Sequence, residues 1–161
     1  MDDEAWFRAA TLDDLQLVIA ALNEQGAEYL LIGGFAMQAH GIAHATTQID
    51  LLVPATIASG ECVRRALLQL PDQVAADIEP SWFEEGEPIR VADQFVLDIQ
   101  FKACGQTYQT LLPDVQTLLL ADGTAMASLS LEGLLKTRQG ARPKERADRL
   151  LIEAALKASH A

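Results

Sequence analysis

The segment from residue 29 to residue 53 constrains the fold of this chain more than any other. It reads YLLIGGFAMQAHGIAHATTQIDLLV, so an apolar run ends at two glycines and a second apolar run carries a single acid, Asp50. Short apolar runs bounded by turn residues predict buried strands, and a glycine pair suits a tight turn from a strand into a helix. We therefore expect a strand, a turn at Gly33 and Gly34, a short helix and a second strand.

A third apolar run, FVLDIQFK at residues 95–102, places another acid in a strand at Asp98. Side chains two residues apart on a strand project to one face, so Gln48 and Asp50 point the same way. If the two strands are neighbours, Asp50 and Asp98 can face one another. Acids among apolar residues need a cation, a basic partner or a hydrogen-bond network. Mg²⁺ is a reasonable candidate; the alternative is that lysine or arginine pairs with the acids, which then only support the fold.

Composition predicts one globular domain over residues 1–161, since half of the residues are apolar and 22% are charged. No apolar run is long enough for a transmembrane helix. The acidic N-terminal sequence MDDEAWFRAA lacks the basic start of a signal peptide. The two cysteines form no CxxC pair, which argues against a disulfide scaffold or a zinc ribbon and favours a cytoplasmic location.

The net charge of −11 argues against general DNA binding and against a membrane-surface protein, because phosphate contacts need many basic residues. Residues 136–149 nevertheless hold six basic residues and two acids, a local charge of +4. The six are Lys136, Arg138, Arg142, Lys144, Arg146 and Arg149. Such a patch suits a small anionic ligand, although a solvated helix face is an equally simple interpretation.

The remaining pattern predicts an α/β or α+β domain with a small mixed central sheet, flanking helices and C-terminal helices. Thr11 and Asp14 indicate the start of a first helix, and residues 56–70 predict another. Residues 73–93 are interpreted as irregular with at most one short strand, residues 104–112 as an edge strand, and residues 115–120 are ambiguous.

The C-terminal third is expected to hold two helices. Ser128 or Ser130 would cap a helix through Leu135, and Pro143 would open a last helix to about Ala158. The predicted apolar face of that last helix is Ala147, Leu150, Leu151, Ala154 and Ala155.

His40 and His44 have the spacing of a zinc-binding pair. However, Gly41 lies between the two histidines and no glutamate follows His40, so they are not expected to share a helical face. We therefore do not expect a zinc site.

Four segments, taken in order, resemble the nucleotidyltransferase superfamily. They are LLIGG, HATTQID, VLDIQ and SLEGLLKTRQGARPKERADRL, and the resemblance spans residues 12–156. It is strongest to a small bacterial branch that includes abortive-infection toxins of toxin–antitoxin pairs (the type Eii group). The resemblance implies a nucleotidyltransferase-like fold.

The resemblance also implies roles for particular residues. Gly33 and Gly34 would form the turn beside the phosphates, and Asp50 and Asp98 would be the second and third metal carboxylates. The basic residues that would contact phosphates or close the site are Lys136, Arg142 and Lys144.

The sequence departs from the family pattern at two positions of the expected site. His44 replaces an arginine, and Gln48 replaces the first metal carboxylate. A glutamine oxygen can coordinate a hard cation but carries no charge, so Mg²⁺ would be bound less tightly. At the C-terminal helix, Glu145 replaces an aspartate and Asp148 matches the family's second acid.

The resemblance leaves two functions open. The chain would transfer a nucleoside monophosphate from an NTP to an unknown acceptor with Mg²⁺, using Asp50, Asp98 and Gln48. Alternatively, it is a catalytically degenerate member that binds a nucleotide or a protein, in a toxin–antitoxin context. The chain is short for this superfamily, so a protein partner or a homo-oligomer would supply the acceptor surface.

Overall fold

The computed structural model describes residues 7–160, and within them helices and strands alternate along most of the chain. The helices are α1 (Leu12–Glu24), α2 (Gly33–Ala39), α3 (Ile57–Leu67), α4 (Ser81–Glu85), α5 (Tyr108–Leu111), α6 (Leu131–Lys136) and α7 (Pro143–Ser159). The strands are β1 (Leu30–Ile32), β2 (Gln48–Leu52), β3 (Ile89–Ala92), β4 (Val96–Gln100), β5 (Val115–Leu119) and β6 (Ala125–Leu129). This arrangement confirms the predicted α+β class.

The strands form one mixed sheet in the order β3-β4-β2-β1-β6-β5. β2 is parallel to β4, and β1 is parallel to β6. The pairs β1–β2, β3–β4 and β5–β6 are antiparallel. β3 and β5 are therefore the two edge strands, and the strands that carry the two acids lie next to each other inside the sheet.

The apolar periodicity of the sequence gives the core. Every residue of β1 is buried, as expected for a strand covered on both faces. The inner face of α1 repeats at helical spacing through Leu15, Val18, Ile19 and Leu22. Its N-terminus is fixed by a capping box. The Asp14 backbone N–H donates to the Thr11 hydroxyl, and the Thr11 backbone N–H donates to the Asp14 carboxylate.

One local prediction was wrong because side-chain capping decides the segment. Residues 104–112 contain no edge strand but the helix α5, which Thr107 and Thr110 start with reciprocal bonds. Of the two serines predicted as the next helix cap, Ser130 caps α6, which confirms that prediction, and Ser128 is a buried residue of β6. The ambiguous residues 115–119 are β5, which pairs with β6.

The buried face of α7 also differs from the predicted one. Asp148 and Ile152 are its buried residues, whereas Leu150 and Leu151 are exposed. Asp148 is held inside by contacts with His44 and Arg138. Of the predicted apolar face, Ala155 packs partly buried against the core.

Within residues 7–160, no helix combines the length and the apolar character needed to cross a membrane.

Candidate functional site

The two acids predicted to meet do lie opposite each other. Asp50 on β2 and Asp98 on β4 are register partners of adjacent parallel strands, and both side chains are largely buried. Both stand on the same face of the sheet, because partners in register share a face. Two carboxylates are thus held side by side, at a point where like charges repel.

Gln48 relieves this repulsion by bridging the acids. Its side-chain nitrogen donates to Asp50 Oδ1 over 2.9 Å and to Asp98 Oδ2 over 2.6 Å. A primary amide has two N–H donors, so a single side chain can satisfy one oxygen of each acid. At the position where the family resemblance implies a metal carboxylate, the structure therefore has a hydrogen-bond donor aimed at both acids.

Arg90 is a second partner of the acids that the sequence analysis missed. It lies opposite Asp98 in the antiparallel β3–β4 pair. Its Nε and Nη2 atoms donate to the two oxygens of Asp98 over 2.9 and 3.1 Å, which is the bidentate geometry of a strong guanidinium–carboxylate pair. The sequence signal for this ion pair was a basic residue in the short run PIRVA, which lies beside a strand that contains an acid.

Asp50 differs from Asp98 in its hydrogen bonds: within the described residues its side chain is bound by Gln48, whereas Asp98 is bound by Gln48 and Arg90. Burial is the largest influence on its carboxyl group, and together with the negative charge of Asp98 it raises the pKa of Asp50 from an ordinary 3.8 to about 6. The hydrogen bond from Gln48 is the main opposing effect, and the charges of Arg138 and Lys144 also lower this pKa. Asp50 consequently binds a proton more readily than an ordinary aspartate does.

Gly33 and Gly34 allow the start of α2 to lie against this site. Gly33 has a φ of +74°, and a Cβ there would overlap the carboxylate of Asp50. A Cβ at Gly34 would overlap the side chains of Thr46 and His44. The glycine pair is thus required for close packing around Asp50 and the residues before β2, independently of any role toward phosphate.

A polar cavity of about 260 Å³ opens beside Asp50. We call it the site cavity. Its lining residues are Gly34, His44, Ala45, Thr46, Thr47, Gln48, Asp50, Arg138 and Lys144. The loop before β2 therefore forms one wall, and basic residues from the C-terminal segment form the other.

The basic wall is anchored by buried Asp148. Its two oxygens lie 3.1 Å from His44 Nε2 and 3.2 Å from Arg138 Nε. The Arg138 contact is an ion pair by distance, yet its Nε–H has no hydrogen-bond partner, so the contact is poorly aligned. In the described part of the chain, neither the terminal nitrogens of Arg138 nor Lys144 Nζ makes a hydrogen bond. These donors line the cavity with their hydrogen-bonding capacity unused.

The predicted basic residues are not all brought to the site. Lys144 lines the cavity, whereas the ammonium of Lys136 is bound to Asp114 over 2.7 Å and does not. Arg142 is exposed at the N-cap of α7 and is not a lining residue either. Arg138 lines the cavity, where Lys136 and Arg142 were expected; the sequence indicated Arg138 only as a member of the basic segment.

The donor set of the acids does not fit a resident Mg²⁺ ion. Mg²⁺ requires several oxygen ligands in near-octahedral arrangement. Here the amide of Gln48 and the guanidinium of Arg90 present protons, not lone pairs, to Asp50 and Asp98. Consistently, residues 7–160 contain no group of three or more His, Cys, Asp or Glu side chains placed to hold a metal.

Comparisons with known proteins give no family for the chain. No protein-family model matches the sequence, and no curated protein matches it.

Proposed function

We propose that this chain is a nucleotidyltransferase-like protein that binds the phosphates of a nucleotide in the site cavity, without Mg²⁺ and without transferring the nucleotide. The observation that carries this proposal is the Gln48 amide bridge between Asp50 and Asp98. A bridge of N–H donors satisfies the acids within the protein, so no cation is needed to hold them together.

The basic wall supports phosphate as the ligand. Arg138 and Lys144 line a polar cavity and have donors that make no hydrogen bond within the described residues. Guanidinium and ammonium groups are the usual partners of phosphate oxygens. Thr46 and Thr47 add hydroxyl groups to the same lining.

The size of the site cavity limits how much of a nucleotide it would enclose. Its volume of about 260 Å³ is smaller than the roughly 300–1,000 Å³ of pockets that enclose whole drug-sized ligands. The cavity would therefore hold phosphate groups and leave the nucleoside outside, so little discrimination among bases is expected.

Transfer of a nucleoside monophosphate to a hydroxyl of an unknown acceptor is the second candidate. The raised pKa of Asp50, beside a second carboxylate and a cavity, favours it, because perturbed groups of this kind cluster at functional sites. This function would require Gln48 to turn away, so that Asp50 and Asp98 are available to Mg²⁺ held with the substrate phosphates.

Calorimetric titration with ATP and with GTP, in EDTA and in Mg²⁺, tests the proposal. We expect both to bind in EDTA, and replacing Lys144 by glutamine to weaken binding about tenfold through loss of one charged contact. Lys157→Gln is the matched control, since Lys157 is an exposed lysine of α7 outside the cavity. Lys136→Gln should also bind normally, in contrast to the role that the family resemblance implies.

A labelled-NTP assay separates the two candidates. Product that forms with Mg²⁺ and is lost in Asp50→Asn would establish transfer and overturn the binding-only proposal. Absence of nucleotide binding both with and without Mg²⁺ would overturn both candidates.

A further inference from the structure

The two edges of the sheet are protected differently. Edge strand β3 carries Arg90, whose charge lies in an ion pair with Asp98. Edge strand β5 reads VQTLL and is followed by Leu120, with no charged residue in this run. Charged side chains are a common means of preventing an edge from pairing with another strand. β5 lacks this protection, and Leu119 within it is 73% exposed.

A large apolar cavity lies against the same strand. Its volume is about 520 Å³, and it is formed between β5, β6 and the helices α1 and α2. Its apolar lining includes Leu12, Leu15, Phe35, Leu118, Leu120 and Met126. At β5 the helical layer therefore does not cover the sheet completely, although the inner strands β1 and β2 are well covered.

The edge and the cavity together match one mode of recognition. An extended segment that adds to a sheet edge gains main-chain hydrogen bonds, and pockets on one face accept its alternate side chains. We propose that β5 pairs with an extended segment of a partner protein, whose alternate apolar side chains enter this cavity and whose flanks are basic.

The charges around the cavity select the partner. Asp13 lines the cavity, Asp122 lies in the turn that follows β5, and no described lining residue is basic. Each copy of the protein has a net charge of −11, so long-range repulsion opposes the approach of two copies. A segment with basic flanks is complementary, whereas a second copy is not.

A blocked, fluorescent octapeptide, with lysine at each end and alternating valine and threonine between, is the probe. We expect saturable anisotropy binding to the full chain, with a Kd on the order of micromolar. Leu119→Lys should weaken binding at least about tenfold, because it places a charge on the pairing edge. Leu150→Lys is the matched control: Leu150 is 67% exposed on α7 and lies outside the cavity.

Two further arms test the mechanism of binding. N-methylation of the peptide backbone should abolish binding, since it removes the donors of a strand ladder. Asp13→Lys should shift the preference from the lysine-flanked peptide toward a glutamate-flanked one.

Three results would overturn the proposal. The first is absence of saturable binding up to about millimolar peptide, and the second is binding unaffected by Leu119→Lys or by N-methylation. The third is a dimer in sedimentation that Leu119→Lys dissociates, which would assign β5 to a second copy of the chain.

Discussion

Two groups of charged residues at the site cavity differ in how completely their charges are satisfied. We call Asp50 and Asp98 with their partners Gln48 and Arg90 the acidic wall; of these, Gln48 and Asp50 line the cavity itself. On the acidic wall, Gln48 bridges Asp50 and Asp98, and Arg90 binds Asp98 through two nitrogens. On the basic wall, Arg138 has one poorly aligned contact with Asp148, and Lys144 makes no hydrogen bond among the described residues.

This difference shows which wall is prepared for a ligand. Groups that already have good partners lose those partners when a ligand binds, so binding there gains little. Groups whose donors have no protein partner exchange only water for the ligand, so the net gain on binding is larger there. Under the proposed function, the acids are satisfied within the protein and the basic wall offers the binding capacity, whereas a metal-dependent enzyme would use the acids to bind its metal.

The largest expected effect comes from Gln48→Asp, which makes the acidic wall depend on a cation. The variant loses two hydrogen bonds and places a third carboxylate beside two others. We expect its free energy of unfolding to fall by about 4 kcal/mol in EDTA. Mg²⁺ should restore much of this loss, because three carboxylates provide the charge that two lack. Thermal unfolding in EDTA and in Mg²⁺ measures both effects.

Gln48→Glu is not equivalent to Gln48→Asp, because the glutamate side chain is longer and keeps the span of glutamine. Gln48→Ala is a suitable control. It removes the bridge without adding charge and should be destabilised without any rescue by Mg²⁺. If Gln48→Asp were as stable as the wild type in EDTA, the bridge would not be holding the acidic wall together.

The arrangement of the acids was accessible from sequence because it depends on local periodicity. Alternation along a strand placed Gln48 and Asp50 on one face, and two similar apolar runs suggested neighbouring strands. The same kind of pattern gave α1 with its cap. These features depend on residues close together in the chain, so sequence reasoning could reach them.

The partners of the acids were not accessible, since they depend on pairings between distant segments. Arg90 reaches Asp98 only because β3 pairs with β4, and Arg138 reaches the cavity only because Asp148 on α7 holds it. The missed hairpin of β5 and β6 is different. The dipeptide Asp122–Gly123 between them is a recognised hairpin signal, and Gly123 has a φ of +89°. The helix-favouring residues Ala125 and Met126 obscured it.

A smaller effect is expected at the glycine pair, where each residue touches different lining residues of the site cavity. A Cβ at Gly33 meets the carboxylate of Asp50, and Gly33 also has a positive φ. We expect Gly33→Ala to lower the free energy of unfolding by about 3 kcal/mol, through the clash and the strained backbone together. Denaturant unfolding measures the change.

Gly34→Ala is the internal comparison for Gly33→Ala. Its Cβ would meet side-chain atoms of His44 and Thr46, and Gly34 is not among the positive-φ residues. A cost of about 1–2 kcal/mol is expected, since the clash is again with side chains but no strained backbone adds to it. Equal costs at the two positions would show that the conformation of Gly33 adds nothing.

The smallest effect concerns the charge of Asp50 itself. Because its pKa is raised to about 6 in the folded protein, the protonated form stabilises the fold. That contribution is complete below about pH 4 and is lost as the pH rises through about 6. Asp50→Asn keeps a neutral acceptor for Gln48 at every pH. The variant should match the wild type near pH 4 and be more stable by about 2 kcal/mol at pH 7.

Asp122→Asn provides a control of opposite sign. Its pKa is lowered by hydrogen bonds from Thr124, so its stabilising contribution exists at neutral pH and is lost on acidification. Relative to wild type, this variant should therefore be less stable at pH 7. If Asp50→Asn followed the same direction, the ionised carboxylate of Asp50 would be stabilising. The acidic wall would then need a compensating charge beyond Gln48, and the contrast between the two walls would fail at its central residue.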